Sequence, residues 1–265
     1  MDMRSSPSSL AGPSTPDESA APPTLSEAQR KALVAGAFRS LHVARNSTKA
    51  NVYLVEWPPQ SGHKVAFKDG SNRALWFSFF VGRYQMRREW KAMSALQGME
   101  GVPCPYFRAG ADAFGMEWFQ GQSLLHFAPG ELPAAAVEQL EAVMNEMHSH
   151  SVTHGDLHRD NILFDPASGR VCLIDWATSC VFRPKRRGFK AWMWREWQAL
   201  DRRALAKIKA RYTPDLLREE ELSLLENGGT PLSRAVRRVG SLFKRRKRTR
   251  KEAPTVTPSQ ASEVV

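Results

Sequence analysis

The sequence predicts an α+β fold: a five-stranded antiparallel sheet with one helix in its first half and a reduced, mainly helical second half. Three observations predict it. Residues 40–67 alternate apolar and polar side chains with turn residues between the runs, which is the strand period. Residues 134–150 place Val137, Leu140, Val143, Met144 and Met147 on one helical stripe. Between two later short apolar runs, residues 154–161 crowd His, Asp and Asn side chains into a tight loop.

Residues 1–24, rich in Ser, Pro and Ala, bury too little apolar surface to offset ordering, and a disordered tail is expected there. Ser26 with Gln29 three residues on forms a capping box. Leu33, Val34, Ala37 and Phe38 then continue at helical spacing, predicting a short helix over 28–40. Leu41 and Val43, then Val52, Leu54 and Trp57, then Val65 and Phe67 read as three strands, with Pro58-Pro59-Gln60-Ser61-Gly62 as a hairpin turn. A helix is predicted over roughly 77–97, with Trp90, Met93 and Leu96 or Gln97 on its buried stripe and Glu89 beside it. Gly101-Val102-Pro103-Cys104-Pro105 ends that helix, and 106–109 with 113–119 make a second hairpin that completes five strands. Gly121 gives the chain freedom to turn out of the sheet. Pro133 opens the long helix over 134–150. Trp194, Trp197, Leu200, Leu205 and Ile208 predict another from Trp192 to about Arg211. The chain divides accordingly into 1–24, a first unit over 25–119, a second over 120–233, and a basic, largely disordered tail over 234–265.

The chemistry concentrates in His154-Gly155-Asp156-Leu157-His158-Arg159-Asp160-Asn161. A short strand runs on to Phe164, Asp165-Pro166-Ala167-Ser168-Gly169 turns the chain, and Val171 to Ile174 returns to Asp175. Asn161 lies five residues after Asp156, and Asp175 fourteen after Asn161, so the hairpin sets Asp175 beside Asn161. One carboxylate to orient a hydroxyl, with an amide oxygen and a second carboxylate for a hard cation on nucleotide phosphates, is the donor set of magnesium-dependent phosphoryl transfer.

At these residues the chain resembles the protein-kinase-like superfamily, whose catalytic loop has the form His-x-Asp-x-x-x-x-Asn. His-Gly-Asp is the version found in aminoglycoside and choline kinase relatives and in bacterial lipopolysaccharide sugar (Kdo) kinases. The resemblance implies a bilobal fold using ATP and Mg2+. It makes Asp156 the residue that orients the acceptor hydroxyl, Asn161 and Asp175 the metal ligands, and His154 a brace for the loop. His158 stands where protein kinases carry a Lys that neutralises the transferring phosphate. Val-Ala-Phe-Lys, ending at Lys68, is similar to the Val-Ala-Ile-Lys of kinases, which makes Lys68 the phosphate-binding lysine. Its implied partner is Glu89, 21 residues on. Where kinases carry a Gly-rich loop this chain has no glycine. Ser-Thr-x-Ala-Asn-Val-Tyr at 47–53 instead resembles the phosphate loop of RIO kinases, which implies nucleotide contacts at Ser47, Thr48 and Lys49. Met116 to Gly121 matches the hinge between lobes, with backbone groups of Glu117 and Phe119 as adenine contacts. After Asp175 the pattern departs: Asp-Trp-Ala replaces Asp-Phe-Gly, and Ala-Pro-Glu is absent, as in minimal kinases.

With 42% hydrophobic residues and no apolar run long enough to span a bilayer, the 265-residue chain is expected to be cytoplasmic. Cys104, Cys172 and Cys180 have neither paired nor metal-ligand spacing. The net charge of +11 belongs to the C-terminal part, where residues 183–251 hold 22 Lys and Arg against 7 Asp and Glu. That field favours a polyanion: RNA, a phosphorylated substrate, or an anionic membrane surface that would hold the protein peripherally at the inner face. The first expectation is a RIO-like kinase acting on Ser or Thr of a protein. A lipopolysaccharide-core sugar kinase, with a glycolipid hydroxyl as acceptor, is the alternative, and a non-catalytic nucleotide-gated binding module the third class.

Overall fold

The computed structural model describes residues 22–42, 50–71 and 81–226. Helix α1 (Glu27–Ala35) begins with the expected reciprocal cap: Gln29 N–H donates to Ser26 Oγ at 3.3 Å and Ser26 N–H to Gln29 Oε1 at 2.9 Å. It is shorter than its apolar spacing predicts. Gly36 caps it, Phe38 is more than half exposed, and the chain is already a strand at Arg39, because the Phe38 N–H is taken by Leu54 C=O. Strands β1 (Arg39–His42), β2 (Asn51–Glu56), β3 (Lys64–Asp69), β4 (Pro105–Arg108) and β5 (Ala113–Glu117) form one antiparallel sheet in the order β1-β2-β3-β5-β4. The last strand stops at Glu117, two residues before the predicted end. The segment before α1 is attached at the outer edge: Arg108 N–H donates to Pro23 C=O and Leu25 N–H to Arg108 C=O, so the first lobe takes in residues 23 and 24 as well.

The period of two decides where Lys68 points. Val65 and Phe67 pack with Leu33 and Phe107 in a small core between α1 and the sheet. Ala66 lies on the other face, against Met86 and Phe114, and Lys68 shares that face. Helix α2 (Arg83–Ala95) covers it with Met86, Ala92, Met93 and, just past its end, Leu96; Gln97 is exposed. The predicted start of this helix, 77–80, lies outside the described residues.

The chain then crosses to the second lobe through β6 (Gln122–Ser123), which pairs with β8 (Ile162–Asp165); β8 pairs in turn with β9 (Arg170–Leu173). Gly121 is required here for space, since a Cβ would meet the Phe119 ring at 2.6 Å and Phe164 C=O at 3.0 Å. Helix α3 (Ala134–Ser149) buries its predicted stripe completely. β7 (Val152–Thr153) pairs with β10 (Cys180–Val181). Helix α4 (Gly188–Tyr212) starts four residues before the predicted position and buries Leu205 and Ile208. Helix α5 (Glu219–Glu226) closes the described chain. The buried Lys209 ammonium ties these three helices, 2.8 Å from Glu141 of α3 and 2.8 Å from Glu221 of α5. Among the described residues no helix is long and apolar enough to cross a membrane, and no disulfide joins Cys104, Cys172 and Cys180.

Candidate active site

The site forms where β3, α2, the loop after β7 and the end of β9 meet. Lys68 Nζ lies 2.9 and 2.7 Å from the two carboxylate oxygens of Glu89 and 3.1 Å from Asp175 Oδ1. Glu89 is 1% exposed, whereas the Asp175 side chain is 51% exposed and open to the cleft. Burial works against charge on Lys68, but Glu89 and Asp175 outweigh it and hold the ammonium above its ordinary value. Asp175 is held below the usual carboxylate range, first by the Lys68 charge and against partial burial. Burial pushes the Glu89 carboxyl up while Lys68 and the Trp176 N–H pull the other way.

His154 organises the opposite wall. Its ring is fully buried and spans two segments: Nε2 is 3.0 Å from Ile174 C=O, and Nδ1 takes the Asp156 N–H at 3.4 Å. Nε2 therefore carries the proton and donates, and Nδ1 accepts. Burial lowers the imidazole pKa, which keeps the ring in that neutral form. One side chain thus sets the backbone of both Asp156 and the residue before Asp175. Asn161 closes the loop: Nδ2 donates to Asp156 C=O at 3.0 Å, and its own C=O takes the Ile174 N–H at 2.9 Å. Both contacts use the amide nitrogen or the backbone, which leaves Oδ1 as a donor for a cation. The Asp156 carboxylate is half exposed, with His158 Nε2 at 3.6 Å and also exposed.

Asp201 of α4 holds this loop from beneath, and the sequence reading missed it. It is buried and accepts the His154 N–H at 2.9 Å, the Gly155 N–H at 2.8 Å and His148 Nε2 at 3.1 Å. An acid among the Trp and Leu residues of an amphipathic helix was the available signal. His148, near the end of α3, is buried in this network. Arg88, one residue before Glu89, was missed too. It reaches from α2 to Ser179 C=O at 2.8 Å and Thr178 C=O at 2.6 Å, just beyond Asp175. Arg30 joins α1 to Asp69 and, at 2.9 Å, to Asp112.

The structure brings together Lys68, Glu89, Asp156, His158, Asn161 and Asp175. Ser47, Thr48 and Lys49 lie outside the described residues, as does the basic run over 234–251. Of the hinge candidates, the Glu117 N–H is already given to Cys104 C=O at 2.8 Å, and Phe119 C=O accepts the Gly121 N–H at 3.2 Å. Glu117 C=O and Phe119 N–H remain as the candidate adenine contacts. Among the described residues no three His, Cys, Asp or Glu side chains converge on a metal site. Hard oxygens at Asn161 and an ionised, half-exposed Asp175 nevertheless suit Mg2+, which takes few protein ligands and completes its shell with phosphate and water.

A five-stranded lobe with one helix, a Lys-Glu pair across it and an Asp/Asn loop facing a third acid define a protein-kinase-like fold and a phosphotransferase site. Residues 85–222, just over half of the chain, match the phosphotransferase enzyme family (APH), and the chain belongs to that family. It is similar to the Rio2 kinase of Chaetomium thermophilum, solved as an ADP/Mg2+-phosphoaspartate complex, with a TM-score of 0.54 and 17% identity over 72% of this chain and 60% of that one. A second structure of that kinase gives a TM-score of 0.52 and 18% identity over 70% and 60%. A stretch of 47 residues, 18% of this chain, is 47% identical to a probable serine/threonine-protein kinase HAL5-like of Vanderwaltozyma polyspora, of which it spans 6%. The chain therefore spans 60% of the solved chains and a small part of that curated relative.

Proposed function

We propose that this protein is an ATP- and Mg2+-dependent kinase that moves the γ-phosphate to a hydroxyl, with Ser or Thr of a protein as acceptor. The observation that carries the reading is the arrangement around Lys68 and Asp175. An ammonium held charged by two carboxylates, one buried and one open to the cleft, faces a loop that presents a second open carboxylate. Lys68, oriented by Glu89, binds the α- and β-phosphates. Asn161 Oδ1 and Asp175 hold the metal, which supplies neutralisation of the phosphate charge during transfer. Asp156 accepts a hydrogen bond from the acceptor hydroxyl and aims it at the γ-phosphorus. His158, beside it, places an N–H donor toward the transferred phosphoryl oxygens. The bound ADP and Mg2+ of the Rio2 complex support the nucleotide and metal, and the HAL5-like relative supports the acceptor class.

A sugar hydroxyl, such as that of a lipopolysaccharide core, is the second reading. The His-Gly-Asp form of the loop, similar to that of lipopolysaccharide sugar kinases, the reduced second lobe and the basic C-terminal charge fit it, and a family described as phosphotransferases accommodates either acceptor.

Transfer of label from γ-labelled ATP, with magnesium and cell extract separated into protein and glycolipid fractions, tests both. Label in protein that is lost in Asp156→Asn supports the first reading, and label in glycolipid alone replaces it with the second. Asp156→Asn is expected to lose at least about a thousandfold in turnover while retaining nucleotide affinity, and Asp175→Asn to weaken magnesium-nucleotide binding itself. Full activity in either variant removes the site assignment. Nucleotide binding without transfer by the wild type removes the enzyme reading.

A further inference from the structure

A cavity of about 520 Å3 opens on the second lobe, between the end of α3, the turn before α4 and the first half of α4. One of its wall residues, His148, is joined through Asp201 to the loop that begins at His154. His148 forms part of its wall, with Asn145 and Gln198 as neutral polar groups, Trp194 as an aromatic face, and Arg186 and Arg202 as cations. No acidic residue lines it. Neither arginine has a carboxylate within ion-pair distance among the described residues. This contrasts with Arg30 and Lys209, whose buried charges are matched by three and by two carboxylates.

Arg186 is the informative group. Its guanidinium lies 4.0 Å from the centre of the Trp194 ring and 5.9 Å from that of Phe182, which itself meets Trp194 edge-on. A guanidinium held over a ring face in this way keeps its Nη groups for other partners. Its Nε is buried with no hydrogen-bond partner among the described residues, and burial alone lowers its pKa. A cation fixed on an aromatic face, a second cation and amide donors, with no counter-charge, lack only an anion. The surrounding turn adds Arg183, Lys185, Arg187 and Lys190, all exposed, which draw anions toward the opening.

We infer that this cavity is a binding site for a phosphomonoester, held bidentately by Arg186 with Arg202 as its second cation. The ligand would be either a phosphorylated side chain or a free phosphate. It differs from the nucleotide phosphates of the cleft, which Lys68 holds. Through its wall the site bears on the catalytic loop: His148 shares Asp201 with the N–H groups of His154 and Gly155.

The test uses the full-length protein without nucleotide or magnesium, in physiological salt, titrated calorimetrically with inorganic phosphate and with N-acetyl-O-phosphoserine amide. Saturable binding of either probe is expected, weakened about tenfold or more in the double variant Arg186→Gln, Arg202→Gln and unchanged in Lys68→Met. Tighter binding of the phosphoserine compound assigns the site to phosphorylated side chains, and tighter binding of inorganic phosphate to the free ion. Amide exchange at His154 and Gly155 is expected to slow on saturation. Unchanged exchange overturns the link to the loop. The site itself is overturned by no binding up to about 20 mM of either probe, or by binding lost in Lys68→Met and kept in the arginine variant. Circular dichroism of the double variant separates loss of ligand from loss of fold.

Discussion

Gly155 sits between the loop's two functional neighbours with a backbone φ of +77°, and a Cβ there would lie 2.2 Å from the Trp197 ring and 3.0 Å from Thr178 C=O. Position 155 therefore excludes any side chain for two independent reasons, left-handed backbone and occupied space. Gly155→Ala should cost about 1–3 kcal/mol through overpacking and about 1–2 kcal/mol more through backbone strain. It should displace Asp156, so turnover falls at least about tenfold while nucleotide affinity, which the proposed function assigns to Lys68 on the other lobe, changes little. Melting curves and separate determination of kcat and nucleotide Kd check this; wild-type turnover would show that Trp197 gives way. The pair Lys68 and Asp175 makes a prediction in pH. Lys68 is raised, so the stabilisation from its charge is complete below the ordinary lysine value of about 10.4 and is lost only as pH rises through its higher folded value. Asp175 is lowered, so its contribution is complete above about 3.9 and disappears as pH falls through its lower folded value. The gap in Tm between wild type and Asp175→Asn should accordingly be constant through neutral pH and close below about pH 4. A gap that persists in acid would mean that Asp175 does not stabilise through its charge.

Helix α4 shows what an element contributes that a motif does not. Its single buried acid, Asp201, receives two backbone N–H groups of the catalytic loop and one imidazole. Asp201→Ala leaves all three unsatisfied in a dry interior, at about 3–5 kcal/mol. Turnover should collapse with nucleotide KM nearly unchanged, because the loop and not the phosphate site loses its support. Asp201→Asn, which keeps one acceptor oxygen, should fall between the two. Denaturant unfolding and steady-state kinetics read both quantities, and equal losses in kcat and KM would argue against a loop-specific role. The hairpins, the α3 stripe and the loop from His154 to Asp175 were legible because their signals are local: a period of two, a period of 3.6 and short fixed spacings. Asp201, Arg88 and Arg30 were not, because each is defined by a partner far along the chain and looks like any polar residue of an amphipathic helix. The end of α1 was misread for a related reason. Ala37 and Phe38 keep the helical spacing, but pairing with Leu54 claims the backbone first. Gly121 was assigned conformational freedom, whereas the Phe119 ring is what excludes a side chain there.

At the scale of the whole molecule, the question is what makes two lobes one site. Lys68 and Glu89 belong to the first lobe, and Asp156, Asn161 and Asp175 to the second. Besides the direct contact of Lys68 with Asp175, α2 bridges the two: Glu89 meets Lys68 and the Trp176 N–H, and Arg88 grips the carbonyls of Thr178 and Ser179. Trp176, fully buried with its indole N–H on Leu173 C=O at 3.0 Å, fixes the segment that α2 grasps. Adjacent residues on one helix thus position Lys68 and the segment that follows Asp175 together. Arg88→Ala removes the second grip without touching any group that meets substrate. We expect nucleotide affinity in magnesium to fall about tenfold or more, from loss of charge-assisted bonds that contribute about 1.5–3 kcal/mol. Binding of nucleotide without magnesium should suffer less, since Lys68 and Glu89 remain paired. Amide exchange should rise in α2 and in residues 176–180 but not in α3, whose packing is independent of Arg88. Arg88→Lys, which keeps the charge but offers no planar fork to two carbonyls, should recover only part of the loss. Magnesium-dependent affinity within twofold of wild type in Arg88→Ala would show that Glu89 and the Lys68–Asp175 contact couple the lobes without it.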